Sequence, residues 1–178
     1  MIIVTGATGN VGQHVVNELA ALGQTVRALS RKVPTNETRA NVSWVAADFN
    51  DPVSLAKAME GGSRLVLISP AHRDMQAHQT AIVDAAIQAG ITKIAKLSGL
   101  GAGPEAPIRL PQKHYAIEQY IVDTEVDYSF VRPNLFMQVL LGSAQSIAGD
   151  GKIYAPAGDG AISFIDARDV ALVLVEEV

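Results

Sequence analysis

Short strand-like runs recur along this chain, mostly separated by stretches long enough for one helix. They are Ile2-Ile3-Val4, Thr25-Val26-Arg27-Ala28-Leu29, Val42-Ser43-Trp44-Val45-Ala46, Leu65-Val66-Leu67-Ile68, Lys93-Ile94-Ala95-Lys96-Leu97 and Val126-Asp127-Tyr128-Ser129-Phe130-Val131. The first and fourth are apolar without a break. A strand that is apolar on both faces must be covered on both faces, which is the condition of a parallel sheet between helical layers. Between the strands the spacing turns helical. Asn10 to Leu22 places Val11, Val15, Val16, Leu19 and Leu22 at helical intervals and stops at Gly23. Asp51-Pro52 opens a second helix through Leu55 and Met59 to Gly61-Gly62, with Asp as N-cap and Pro in the first turn. Met75 to Ala89 and Gln112 to Asp123 are two more. Right-handed crossovers then give an α/β fold, a doubly wound parallel sheet, with residues 1–178 as a single domain. Gly99 to Pro111 reads as a loop. Past Pro133 the periodicity weakens. Gly149-Asp150-Gly151 and Gly158-Asp159-Gly160 are turn signals, Lys152-Ile153-Tyr154 and Ile162-Ser163-Phe164 are strand candidates, and Asp166 to Val178 is a closing helix.

Composition removes several function classes. The chain has 178 residues, 48% of them hydrophobic, and a formal net charge of -4. No long Lys/Arg run appears, so no nucleic-acid footprint is expected. Cysteine is absent, which rules out disulfides, thiolate metal sites and thiol nucleophiles and suits a reducing cytosol. His14, His72, His78 and His114 lack metal-ligand spacing, so no metal is expected. The longest apolar runs, such as Val170 to Val175, are too short to span a bilayer, and the start Met1-Ile2-Ile3-Val4 has no basic leader. A soluble cytoplasmic protein without a membrane partner is the expectation.

The chemistry begins at Gly6-Ala7-Thr8-Gly9-Asn10-Val11-Gly12, between the first strand and the first helix. In that context a glycine-rich turn suits a dinucleotide diphosphate, because the backbone can approach closely and the helix start offers unpaired N–H donors. Gly6, Thr8, Gly9, Asn10, Val11 and Gly12 are the candidate contacts. The spacing is GxxGxxG, one residue longer than the commonest fingerprint. No Gly-Lys-Ser/Thr follows, so a P-loop is excluded. A glycine turn without a ligand is the plain alternative. An acid about 20 residues on would mark NAD, but the second strand runs into Ser30-Arg31-Lys32. A guanidinium at Arg31 suits a 2′-phosphate, which favours NADP(H) over NAD(H). The alternative is a solvated basic pair.

With these motifs in place, the sequence resembles the NmrA-like, atypical short-chain dehydrogenase/reductases, near the NAD(P)H:quinone oxidoreductase-like subgroup. The carriers are Val4 to Gly12, Asp48-Phe49, Leu67-Ile68-Ser69-Pro70, Leu97-Ser98-Gly99 and Val131-Arg132-Pro133-Asn134-Leu135-Phe136-Met137. The resemblance implies Asp48 and Phe49 beside the adenine, Ser69 and Pro70 along the ribose and phosphate, and Pro133 and Asn134 at the nicotinamide. Asp48 could equally cap the turn before Asn50, and Pro133 could merely redirect the chain. Members of the family run on past a helix such as Asp166–Val178 to build a small substrate domain, of which residues 134–178 would form a part. The apolar face of Val170, Val173 and Leu174 would then be available to a second copy in a homodimer.

Short-chain reductases commonly place Tyr and Lys four apart on a helix, so that the ammonium lowers the phenol pKa. Here Tyr115 is followed at that interval by Gln119, which carries no charge. His114 is the candidate for coenzyme contact or proton donation, the alternative being an exposed histidine paired with Glu118. Ser98, just past the fifth strand, could bind a substrate carbonyl or serve only as a turn residue. Catalytic candidates are thus His114, Ser98 and Tyr115. The expected function is an NADP(H)-binding oxidoreductase passing hydride to a quinone or similar small carbonyl substrate. The alternative is a non-catalytic NADP(H)-sensing regulator of the NmrA type with a protein partner.

Overall fold

The computed structural model describes residues 1–154 and 158–178. Six strands form one sheet: β1 (Ile2–Val4), β2 (Val26–Ser30), β3 (Val42–Ala46), β4 (Arg64–Leu67), β5 (Lys93–Leu97) and β6 (Asp127–Val131). Their order is β3-β2-β1-β4-β5-β6, and every pairing is parallel. The winding reverses between β1 and β4, so the carboxyl ends of these two strands flank the switch point where such sheets bind ligands.

Strand parity sorts the core into two layers. Ile2 and Val4, with Val26, Ala28, Val66 and Ala95, face α1 (Gly12–Ala21) and α6 (Ala167–Glu176). Ile3, Leu29, Leu65, Leu67 and Ile94 face α2 (Pro52–Met59), α3 (Met75–Gln88) and α4 (Arg109–Val122). Burial of both faces explains why β1 and β4 carry no polar alternation. It also changes the reading of α6. Val170 and Leu174 are 1% and 0% exposed and pack in the α1 layer, leaving Val173 as the one member of that trio on the surface.

Three departures from the sequence pattern have local causes. α4 begins at Arg109, inside the stretch expected to be loop, because Pro111 falls in its first turn, where no intrahelical N–H bond is required. Lys152-Ile153-Tyr154 is not a strand; the second small sheet instead pairs β7 (Leu135–Phe136) with β8 (Phe164–Ile165). A 3-10 helix (Met137–Ser143) and α5 (Ala144–Asp150) lie where the pattern weakened, and neither buries a residue. Without a buried face there is no periodic stripe to see. No helix among the described residues is long and apolar enough to cross a membrane.

Candidate functional site

The floor of the site is fixed by Thr5, the residue after β1. Its buried hydroxyl donates to the Ile68 carbonyl at 2.7 Å and accepts from the Ile68 N–H at 2.8 Å. The ends of β1 and β4 are therefore clamped at the switch point. Gly6 follows at φ 59°, where a Cβ would lie 2.8 Å from the Ile68 carbonyl oxygen. Only glycine meets both the left-handed backbone and the contact. At Gly12 a Cβ would stand 2.2 Å from the Gly6 carbonyl oxygen, so α1 packs against the turn through a missing side chain. Thr8, Gly9 and Asn10 are exposed. Val11 is the α1 N-cap and provides no side-chain acceptor, whereas α2 and α6 are capped by Asp51 and Asp166. An uncapped helix start beside an unobstructed backbone turn fits a diphosphate. The tight path needs glycine at Gly6 and Gly12, and the exposed Gly9 adds no side chain over the turn, so the residues present fit the group.

A cavity of about 620 Å³ opens alongside, lined by Thr8, Ser30, Arg31 and Lys32. The Ser30 hydroxyl donates to the Lys32 carbonyl at 2.6 Å and accepts from its N–H at 3.2 Å, which shapes the basic turn. Arg31 and Lys32 join no ion pair among the described residues. Past β3, Asp48 accepts from the Asn50 N–H at 2.9 Å and from its side-chain amide at 3.1 Å. It does cap the turn, and these bonds hold its carboxyl below the usual range. Phe49 meets the His78 ring edge-on at 6.1 Å, and His78 stacks on His72 within 7°. Ser69 accepts from Gln79 Nε2 at 2.7 Å, while the buried Gln79 Oε1 has no partner among the described residues. Pro70 is exposed beside it.

At the other end of the cleft, β5 and β6 stay joined beyond their last residues. The Ser98 N–H donates to the Val131 carbonyl at 2.7 Å and the Leu100 N–H to the Pro133 carbonyl at 2.9 Å. Asn134 donates its amide to Ser163 Oγ at 2.6 Å. Beneath this seam lies a charged cluster. Lys96, Ser98 and Glu118 are 0%, 5% and 0% exposed. The Glu118 carboxylate accepts Ser98 Oγ at 2.5 Å, Arg132 Nε at 2.9 Å and an Arg132 terminal nitrogen at 2.6 Å. Lys96 Nζ donates to the Leu97 carbonyl at 3.1 Å and is hydrogen-bonded to His114 Nδ1 at 3.0 Å.

Burial, reinforced by Arg132 and opposed by Glu118, pushes the Lys96 ammonium down to about 7. Burial and the Lys96 charge push His114 down to about 4. The bidentate carboxylate raises the Arg132 guanidinium. His114 is half-buried and bonded to Lys96, while Glu118 is paired with Arg132. This differs from an exposed histidine paired with Glu118. The Ser98 hydroxyl points into the cluster. Tyr115 is half-buried, and its hydroxyl has no hydrogen bond among the described residues.

Sequence reasoning passed over Lys96 and Glu118 as functional residues and met Arg132 only inside a motif. One signal was available for Lys96: in a period-two strand it shares a face with buried Ile94 and with Ser98.

The cradle at the switch point is matched by sequence comparison, since the profile of the NAD(P)H-binding family aligns with residues 6–178. The chain belongs to that family. This NAD(P)H-binding protein is 34% identical to the NAD(P)H azoreductase of Xenophilus azovorans over 99% of the chain and 62% of that enzyme. The triphenylmethane reductase of Citrobacter sp., solved with NADP(H), superposes with a TM-score of 0.87 at 32% identity, covering 98% of this chain and 64% of that one. The NADPH-dependent quinone oxidoreductase of Escherichia coli, solved with NADPH, gives 0.84 at 28% identity, covering 99% and 64%. The protein thus spans about three fifths of the length of these relatives. Its fold is the Rossmann type shared with NAD(P)-binding reductases.

Proposed function

We propose that this protein is an NADP(H)-dependent oxidoreductase that passes hydride to a quinone or similar small carbonyl acceptor. The observation that carries the reading is the continuity of the glycine cradle with the cavity at Ser30, Arg31 and Lys32, whose two cations join no ion pair among the described residues. The turn Gly6–Gly12 would hold the diphosphate and Arg31 the 2′-phosphate. Asp48 and Phe49 would border the adenine, Ser69 and Pro70 the ribose and phosphate, and Pro133 and Asn134 the nicotinamide. When bound, the coenzyme supplies the hydride. The chain's own residues supply orientation and, at the His114 end, a proton. The three relatives are named for azo, triphenylmethane and quinone reduction. This range of acceptors suits a site that positions a hydride donor rather than one built around a single substrate.

Thermal shift with NADPH and NADH tests coenzyme choice. A ligand at about 100 times its Kd stabilises the fold by about 2.7 kcal/mol. A larger shift with NADPH that Arg31→Ala abolishes supports the reading, and a preference that survives the substitution refutes the role of Arg31. NADPH oxidation with a quinone tests the reaction. Gln119 in place of a lysine four residues after Tyr115 favours a second reading, a coenzyme-sensing regulator. Tight NADPH binding without turnover over a panel of quinones, azo compounds and ketones would select it.

A further inference from the structure

Lys96 is anomalous for its surroundings. It lies in the layer of Ile94, Ile117 and Ile121, fully removed from solvent, and among the described residues no carboxylate lies within ion-pair distance of its ammonium. Glu118, the nearest acid, is occupied by Arg132 and Ser98. Burying an ammonium without a close counter-ion costs several kcal/mol, and Met or Leu would fill the same volume without that cost. What Lys96 does contact is informative. Apart from the Leu97 carbonyl, its one partner among the described residues is Nδ1 of His114. An ammonium only donates, so Nδ1 must accept, and the ring of a neutral His114 then carries its proton on Nε2. That Cδ2–Nε2 edge lies against Gly99, the residue after Ser98 at the carboxyl end of β5. A Cβ at Gly99 would be 3.3 Å from Cδ2 and 3.6 Å from Nε2. Among the described residues Nε2 has no hydrogen-bond partner.

We propose that Lys96 and His114 form a proton relay, with Lys96 as the reservoir sealed beneath the seam and His114 Nε2 as the delivery point at the carboxyl end of β5. The relay rests on the oxidoreductase reading and specifies how it works with acceptors that need a proton. A quinone that takes hydride from reduced nicotinamide becomes a hydroquinone monoanion. The oxyanion takes the proton from Nε2 as that N–H bond breaks, Nδ1 takes a proton from the Lys96 ammonium, and Lys96 is left as a neutral amine. The ring resets when Nε2 gains a proton from water and Nδ1 returns one to Lys96. Glu118 from α4 and Arg132 from beyond β6 are the charged groups that act on the pair. Their fixed bidentate pairing keeps the carboxylate from capturing the relay proton. Lys96 acts through His114 and is a positioning residue. A proton source that titrates near neutrality is well matched to such a step.

Two measurements test this on the full chain. The first uses histidine-¹⁵N-labelled protein without coenzyme, followed by two-bond ¹H–¹⁵N correlation across pH 4–9. The expected result is an Nε2–H tautomer for His114, with a shift inflection near pH 7 that Lys96→Met removes. An Nδ1–H tautomer, or an inflection that survives Lys96→Met, overturns the relay. The second compares two acceptors with NADPH: a benzoquinone, whose reduction consumes a proton, and a triarylmethane cation, which takes hydride at carbon and needs none. Lys96→Met should lower kcat for the quinone at least tenfold more than kcat for the dye, and it should flatten the quinone pH profile. Equal losses for both acceptors, or an unaltered pH profile, refute the relay while leaving the oxidoreductase intact. No NADPH oxidation by the wild-type chain with any acceptor refutes both.

Discussion

At the β1 end of the cleft the protein works by omission, and at the β5–β6 end by enclosure. Around Gly6 and Gly12 the backbone follows a path that a Cβ at either position would block by striking a carbonyl oxygen, and the groups proposed to bind there are backbone amides. Around Lys96 and Glu118 the working groups are side chains withdrawn from water and fixed to one another. Holding a dianion needs a surface that ions can reach, with amides that need no reorganisation. Moving a proton needs groups whose affinities have been shifted, and burial is a strong way to shift them. One sheet would serve both proposed tasks, because its carboxyl edge is open at the switch point and roofed by α4 further along.

The contrast can be broken most forcefully at Glu118. Glu118→Ala leaves Arg132 without its partner and Lys96 without a nearby negative charge. It should cost about 3–5 kcal/mol, read as a lower urea midpoint. Lys96→Met should act in the opposite sense. The folded protein holds the Lys96 proton less tightly than the unfolded chain, about 7 against 10.5. Between those values the unfolded chain binds more protons, so this lysine makes stability rise with pH. Removing it should therefore stabilise the protein by about 1–4 kcal/mol below pH 7. The gain should shrink as pH climbs toward the ordinary lysine range, as Tm measured across pH would show. A gain that is independent of pH would mean that Lys96 holds its proton as tightly in the folded protein as in the unfolded chain.

At the open end, Gly12→Ala should cost about 1–3 kcal/mol from overpacking against Gly6 and should abolish the thermal shift with NADPH. Full retention of that shift would mean that the cradle adapts. The smallest effect should come at Arg31. Arg31→Ala should weaken NADPH binding by roughly tenfold, about 1.4 kcal/mol, leave NADH binding unaltered, and move the melting temperature little.

The open end was legible in the sequence because its signal is local. Seven consecutive residues carry the turn, and the strand and helix that frame it announce themselves by period. The layered sheet was legible for the same reason, since buried strands such as Leu65-Val66-Leu67-Ile68 cannot alternate. The enclosed end was not, because Lys96, His114, Glu118 and Arg132 meet only when β5, α4 and β6 are folded together. Glu118 lies 20 residues from Ser98 and 14 from Arg132, and no pattern in either segment names the other. Leu135–Phe136 escaped notice, and the strand expected at Ile162-Ser163-Phe164 falls at Phe164–Ile165, for a related reason: a strand two residues long shows no period at all.

Thr5 closes one hydrogen-bonded ring with Ile68 across the place where the winding reverses. A cleft welded along its keel cannot swing open like a hinge; any widening has to occur at its gunwales.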